Sequence, residues 1–320
     1  MMMDTKKFLK FGMCALAGAV VGAFFAASAA SALVIEDTGL EDNGAFSIQP
    51  AKLEVNLDPG EEKKVELEVI NRTGATRLFK IVVEDFKGSR DPNTTTVLLG
   101  DERGPYSLKD YVLPEVSEFE IETGKKAVVS IAIKIPEDAE PGGLYGTALI
   151  TSLSGRDATP LITRAGALFF VRVNGEVRES GRLTEFAAKG EKSVYFDKGP
   201  DQFSLLFEND GSVHLNPYGE IVIKNSLGVT VDEIEVAPYF AMPDSIRLRE
   251  VQWNRNILLG RYTAVAKINR GYDDIVDELS VSFWVLPLGM IVGGFAAIVF
   301  FVLVLKWLAL NYRLVRKRRK

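Results

Sequence analysis

Val129-Ser130-Ile131-Ala132-Ile133-Lys134-Ile135 places an apolar side chain at every second position. A period of two is the mark of a β-strand with one buried face and one wet face. The same alternation runs through Phe46-Ser47-Ile48, Leu53 to Leu57, Val65 to Val69, Phe79 to Val83 and Phe119-Glu120-Ile121, and it closes with Tyr145 to Leu153 and Ala167 to Val173. Turn residues separate the runs: Asp58-Pro59-Gly60, Arg72-Thr73-Gly74, Thr123-Gly124-Lys125 and Glu140-Pro141-Gly142-Gly143. Short strands, tight turns and no amphipathic helices between them point to an antiparallel sandwich.

A second series begins near Val177. Its strands are Ser193 to Phe196, Phe203 to Phe207, Glu220 to Lys224, Val229 to Val236 and Tyr262 to Ile268, with hairpin-type turns at Asn209-Asp210-Gly211 and Asn225 to Gly228. The two series share marks. Pro59-Gly60 precedes a strand that ends near Asn71, and Pro217-Tyr218-Gly219 precedes one that ends at Asn225. Pro141 to Tyr145 is echoed by Leu259-Gly260-Arg261-Tyr262, and both read as tyrosine corners whose hydroxyls reach back to the turn. The fold class is therefore all-β: two tandem Ig-like or fibronectin-like β-sandwiches, spanning 33–175 and 176–282. Gly60 to Tyr145 covers 85 residues against 43 from Gly219 to Tyr262, so the first sandwich carries an insertion, placed at 86–118.

The ends of the chain read differently. Lys6, Lys7 and Lys10, an apolar run from Phe11 to Ala27, and Ala30-Ser31-Ala32 form the three parts of a signal peptide over 1–32. Cleavage is expected before Leu33, with Ala29 as the alternative last residue. Cys14 lies too early in the apolar run to serve as a lipidated residue. Phe283 to Leu305 is 23 residues without a charge, enough to span a bilayer as one transmembrane helix over 283–305. Trp284 and Trp307 bracket it as interfacial anchors. Lys306, Arg313, Arg316 and their neighbours form a basic tail over 306–320 that the positive-inside rule assigns to the cytoplasm. The reading is a single-pass type I protein of the cell membrane, with its ectodomain outside the cytoplasm and the lipid bilayer as one partner.

Composition narrows the chemistry. The chain has 320 residues with one cysteine, Cys14, and one histidine, His214. A disulfide scaffold, a Cys/His zinc site and a multi-histidine metal centre are excluded within one chain. No cofactor is expected, and no metal. The net charge of −5 hides an uneven distribution: the part between the signal and the tail has 28 basic and 42 acidic residues, net −14. Such a surface repels polyanions, so nucleic acid is not an expected partner.

Candidate sites are few. A Ser-His-Asp triad would need His214, but no nucleophile-elbow motif accompanies it, and a surface or strand-end histidine is expected. Asp273, Asp274, Asp277 and Glu278 lack the spacing and turn glycine of a calcium loop and read as a solvated juxtamembrane linker. Asn71-Arg72-Thr73 and Asn93-Thr94-Thr95 match the glycan acceptor pattern. Within the insertion, Tyr106, Tyr111 and Leu113 form either an aromatic binding surface or the packing of the insertion onto its own sandwich.

The order Phe46-x-Ile48-x-Pro50, the Pro59-Gly60 turn, the strand ending at Asn71 and Pro141-Gly142-Gly143-Leu144-Tyr145-Gly146 resemble the first domain of the WxL-interacting surface proteins of Gram-positive bacteria. The second domain, the span and the basic tail are similar in layout to that family. The resemblance implies tandem domains that bind peptidoglycan and a host or partner protein, and it carries over no binding residue. The expected function is a non-enzymatic, membrane-anchored cell-surface protein whose ectodomain binds cell-wall polymer or another surface protein. The alternative is an accessory subunit of a membrane secretion or transport complex, with Gly289, Gly293 and Gly294 allowing close helix approach. A hydrolase using His214 or paired carboxylates is the third reading.

Overall fold

The computed structural model describes residues 33–153, 163–189, 195–196, 199–253, 255 and 259–311. The first sandwich contains β1 (Leu33–Asp37), β2 (Ala45–Gln49), β3 (Lys52–Leu57), β4 (Glu62–Arg72), β5 (Arg77–Gly88), β6 (Thr96–Leu98), β7 (Val112–Pro114), β8 (Glu118–Ile121), β9 (Lys125–Lys134), β10 (Gly142–Leu153) and β11 (Thr163–Val173). One sheet has the order β1-β9-β4-β2, with β7 also on β9. The other runs β3-β11-β10-β5, with β6 and β8 on β5. The pairings are antiparallel except β3 with β11. The alternation from Val129 lies on β9, whose Val129, Ile131 and Ile133 are fully buried with Leu57, Leu67, Phe79, Ile121 and Phe169. Each such side chain contributes roughly 2 kcal/mol of transfer free energy.

The second sandwich contains β12 (Gly181–Lys189), β13 (Tyr195–Phe196), β14 (Gln202–Asn209), β15 (Tyr218–Asn225), β16 (Thr230–Val236), β17 (Ser245–Gln252), β18 (Gly260–Asn269) and β19 (Val276–Val285). Its sheets are β12-β14-β17 and β13-β19-β18-β15-β16. Phe203, Leu205, Phe207, Ile221, Ile223 and Phe283 form a separate core. The all-β, two-sandwich expectation matches this architecture.

The two sandwiches repeat one topology. The path β2-β4-β9 corresponds to β12-β14-β17, and β3-β11-β10-β5-β8 corresponds to β13-β19-β18-β15-β16, including the parallel pair at the same place. The extra residues of the first copy fall between β5 and β8. The repeat corrects the sequence alignment of the two copies, because β4 matches β14 and not β15. Asn71 at the end of β4 and Asn209 at the end of β14 are both fully buried. The Asn71 amide donates to the carbonyls of Ala75 (2.9 Å) and Ile121 (2.8 Å), and its oxygen accepts from Thr73 N–H at 3.0 Å. The Asn209 amide donates to Val213 (2.9 Å) and Ala241 (2.9 Å), and its oxygen accepts from Gly211 N–H at 2.8 Å. Each asparagine ties the turn after its own strand to a distant segment, Asn71 to β8 and Asn209 to the stretch between β16 and β17. Asn71 is thereby removed as a glycan acceptor, since its amide nitrogen is buried and doubly bonded; Asn93 is exposed.

The C-terminal helix is α1 (Leu288–Asn311), 24 residues long and without a buried residue. At 1.5 Å per residue it measures about 36 Å, more than a bilayer core of about 30 Å. It is the one described helix long and apolar enough to cross a membrane. Its start corrects the expected span over 283–305: Phe283 and Trp284 belong to β19. Val281, Phe283 and Val285 alternate with Ser280, Ser282 and Trp284, so an uncharged strand and an uncharged helix abut at Pro287 and read as one run. The acidic residues before it are not a linker. Asp277 lies on β19, holds Arg270 through two guanidinium nitrogens (2.6 and 3.0 Å) and accepts from Leu183 N–H at 2.7 Å. It sits most of a ten-residue strand, about 30 Å, from the helix.

Candidate functional site

The sequence-expected residues do not gather in one place. Tyr106 lies at the junction of the two sandwiches and donates its hydroxyl proton to Asp244 Oδ2 at 2.8 Å. Tyr111 packs against the core of the first sandwich, and Leu113 is 46% exposed on β7. Trp284 is outward-facing on β19, paired with Arg261 and Tyr195, and not in the helix where it was expected as an anchor. Lys306 and Trp307 fall within the last turns of α1 rather than after it. Arg313 and Arg316 lie outside the described residues, as do the signal peptide and Cys14. Gly289, Gly293 and Gly294 have open space where a Cβ would stand.

A third cluster lies at the junction of the two sandwiches. Phe86, Tyr145 and Phe170 from the first sandwich and Met242 from the second form it, closed by Tyr106 and Phe240. Phe170 stands edge-on to Phe240 at 5.1 Å and to the His214 ring at 5.0 Å. Aromatic pairs of this geometry contribute about 1 kcal/mol each beyond their buried area. Tyr145 explains why the cluster exists. Its neighbours Ala148 and Ile150 face the core of the first sandwich, but Tyr145 has the opposite parity and faces out of it. Its hydroxyl lies over Gly143 of its own turn, where only a glycine leaves room, but no described hydrogen bond joins it to that turn. It accepts the backbone N–H of His214 at 2.7 Å instead. Tyr262 keeps the inward parity, and its hydroxyl meets the Leu259 N–H and carbonyl at 3.3 Å each, as a tyrosine corner requires.

The insertion acts as a clamp across the junction. The fully buried carboxylate of Asp85 accepts from the backbone N–H groups of Leu108 (2.9 Å) and Lys109 (2.8 Å), which fixes the segment bearing Tyr106. Arg90 reaches Glu208 (3.2 Å) and Asp210 (3.3 Å) of the second sandwich, and the Ser89 carbonyl accepts from Ile246 N–H at 2.9 Å. Gly88 permits this approach: a Cβ there would stand 2.4 Å from Ser245 Cβ and 2.6 Å from Met242 Cβ. Gly143 N–H donates to Ser212 at 3.1 Å on the other side of the joint.

Beside the aromatic cluster lies a polar cleft of about 210 Å³, lined by Glu54, Asn56, Arg172, Glu179, His214 and Asn216 among others. Arg172 pairs with Glu179 at 2.8 Å, and Lys52 pairs with Glu54. His214 is not a surface residue: its side chain is 10% exposed. Burial pushes its pKa down to about 4, the nearby Lys52 and Arg172 charges push the same way, and Glu54 only partly opposes them. Burial tends to raise Glu54, yet the hydrogen bond and charge of the Lys52 ammonium hold it below the usual carboxylate value. Burial and the Asp244 bond push Tyr106 up to about 12, and burial pushes Tyr145 further. The imidazole Nδ1 faces the Tyr145 hydroxyl at 3.3 Å and Nε2 faces Glu54 at 3.9 Å; no described hydrogen bond brings a serine, threonine or cysteine to the ring. These contacts join residues of the two sandwiches.

Sequence reasoning missed the junction because its residues break the strand period. Leu168-Phe169-Phe170-Val171 is apolar on both faces, and Tyr239-Phe240-Ala241-Met242 is apolar in a loop. Both were readable as surfaces needing a partner. No family model and no curated protein matches the chain. Among solved structures it is similar to the class 5 fimbriae chaperone CfaA (11% identity, 76% of this chain and 100% of that one, TM-score 0.38). It is also similar to the CupB2 chaperone of Pseudomonas aeruginosa (14%, 75% and 100%, TM-score 0.35) and to the CsuC–CsuE chaperone–tip subunit complex of Acinetobacter baumannii (10%, 65% and 90%, TM-score 0.36).

Proposed function

We propose that the chain is a non-enzymatic, membrane-anchored cell-surface protein whose rigid two-sandwich ectodomain binds another surface protein or cell-wall polymer. The observation that carries this reading is the joint between β19 and α1. Only Leu286 and Pro287 separate the last strand from the apolar helix, so the second sandwich sits directly on the candidate span. The clamped junction then holds the first sandwich at a set position beyond it. A stiff support with exposed strand edges suits recognition at a surface, since little conformational entropy is lost on binding. The basic C-terminal tail supports a cytoplasmic end, and the acidic ectodomain supports an exported location. The resemblance to WxL-interacting surface proteins supports the same partner classes.

The full chain in lipid nanodiscs, offered separately to isolated cell wall and to a surface-protein extract, tests the reading. Retention on one of the two is the expected result. Retention on neither overturns it. Protease treatment of intact cells should remove the sandwiches and leave the tail protected; a protected ectodomain overturns the orientation.

A further inference from the structure

We infer that the open edge of β17 receives an extended segment of a partner protein that carries acidic side chains at alternating positions. This rests on the binding role above and deepens it, by naming the edge and the chemistry of the partner.

The repeat identifies the edge. In the first sandwich, β9 is paired on both sides: β4 on one, and β1 and β7 on the other. Its counterpart β17 pairs, among the described residues, with β14 alone. The outer edge of β17 is therefore the place where the fold itself adds strands in its other copy. The added strand there is acidic and its receiver basic: Asp37 stands opposite Lys125, and Glu36 pairs with Lys126 at 3.1 Å. The backbone of β17 is oriented for the same event. Ile246 N–H points outward to the Ser89 carbonyl, so the strand period turns the N–H and C=O groups of Leu248 and Glu250 outward as well. No described backbone bond beyond the strand pairs uses them.

The side chains along this edge break the pattern of their own sheet. Arg247 and Arg249 lie directly opposite Phe207 and Leu205, and so occupy the face that elsewhere carries the core. Neither forms an ion pair with a carboxylate among the described residues, in an ectodomain where acids outnumber bases. Arg249 stands 5.9 Å over the Tyr239 ring and Arg247 stands 5.5 Å over the Phe240 ring. The Tyr239 hydroxyl, Arg247 Nε and Arg249 Nε are buried without a hydrogen-bond partner, and they are the whole set of such side-chain atoms among the described residues. Tyr239 itself is 7% exposed. Arg247 donates a terminal N–H to the Thr95 hydroxyl of the insertion, but its Nε, Arg249 Nε and the Tyr239 hydroxyl still ask for an acceptor, and a local departure from the folding pattern marks a site of function. A strand laid along β17 brings its same-face side chains between these groups. A carboxylate there receives two charge-assisted bonds while the main chain pairs with the edge.

The test uses the full chain in nanodiscs and a labelled peptide of about ten residues that alternates valine and glutamate, blocked at both ends. Binding is expected, with backbone amide exchange slowed at Leu248 and Glu250. An alternating valine–lysine peptide should not bind, and N-methylation of alternate peptide amides should abolish binding. The double variant Arg247→Gln, Arg249→Gln should weaken binding by about tenfold or more, and Tyr239→Phe by less. Arg247→Lys with Arg249→Lys, which keeps both charges, should retain part of the affinity and guards against misfolding as the cause. No binding of the glutamate peptide, equal binding of the lysine peptide, or an unchanged affinity in the glutamine variant overturns the inference. So does dimerisation through this edge that disappears when residues 33–37 are deleted, because the occupant is then a second copy. If the glutamine variant is still retained on surface extract while the peptide fails, the edge assignment falls and the wider binding role stands.

Discussion

The Tyr145 hydroxyl oxygen accepts the backbone N–H of His214 at 2.7 Å, joining a strand of the first sandwich to a loop of the second. The two rings also meet edge to face at 5.7 Å. One residue of strand parity separates this arrangement from an ordinary tyrosine corner. The sandwich thus gives up one internal bond and acquires a fixed neighbour.

The buried imidazole makes the joint sensitive to acid. The His214 pKa falls from 6.5 when unfolded to about 4 when folded. Between these values the unfolded chain binds more protons, so stability is full above pH 6.5 and is lost as the pH falls toward 4. The shift corresponds to a loss on the order of 3 kcal/mol. Thermal unfolding of wild type and His214→Gln across this range checks it. The wild type should lose more stability than the variant, and parallel curves would count against a buried neutral histidine.

Gly88→Ala forces a methyl group into Ser245 and Met242, which belong to the other sandwich. The expected cost is about 1–3 kcal/mol, as for overpacking in a core. Because the clash is between domains, small-angle scattering should also report a changed interdomain distance. Unfolding midpoints equal to wild type would show that the clamp has slack.

Asn71→Ala and Asn209→Ala should both destabilise. The first strips its amide donor from the buried Ile121 carbonyl and the second from the buried Val213 carbonyl, while Ala75 keeps the Thr73 hydroxyl and Ala241 keeps the Leu215 N–H, so each costs about 1–3 kcal/mol. The sites lie in different sandwiches, so the double variant should lose the sum, measured by denaturant unfolding. Mass spectrometry of the protein from a glycosylating host should find Asn71 unmodified.

The sandwiches were legible wherever one face of a strand was wet, as on β4 and β9, because alternation survives there. It failed where both faces are covered. Phe169 serves its own core and Phe170 the junction, so no period appears. On β17 the core-side positions are arginines, and the strand escapes notice for the reason that makes it a candidate site. The boundary of the helix was lost because serine and tryptophan on the outer face of β19 carry no charge. The junction was illegible as a site because its partners, such as Tyr106 and Asp244, come from segments 138 residues apart. The expectation that the insertion either binds or packs on its own sandwich divides among its residues: Tyr111 packs there, and Tyr106 clamps the second sandwich.

The contacts across the junction should make the two sandwiches move as one body. Spin labels at the exposed positions Lys63→Cys and Glu235→Cys, in a chain also carrying Cys14→Ser, measure it by pulsed dipolar spectroscopy. A single narrow distance distribution is predicted, broadened by Gly88→Ala. A broad or two-peaked distribution in the chain with native Gly88 would mean that the sandwiches move independently.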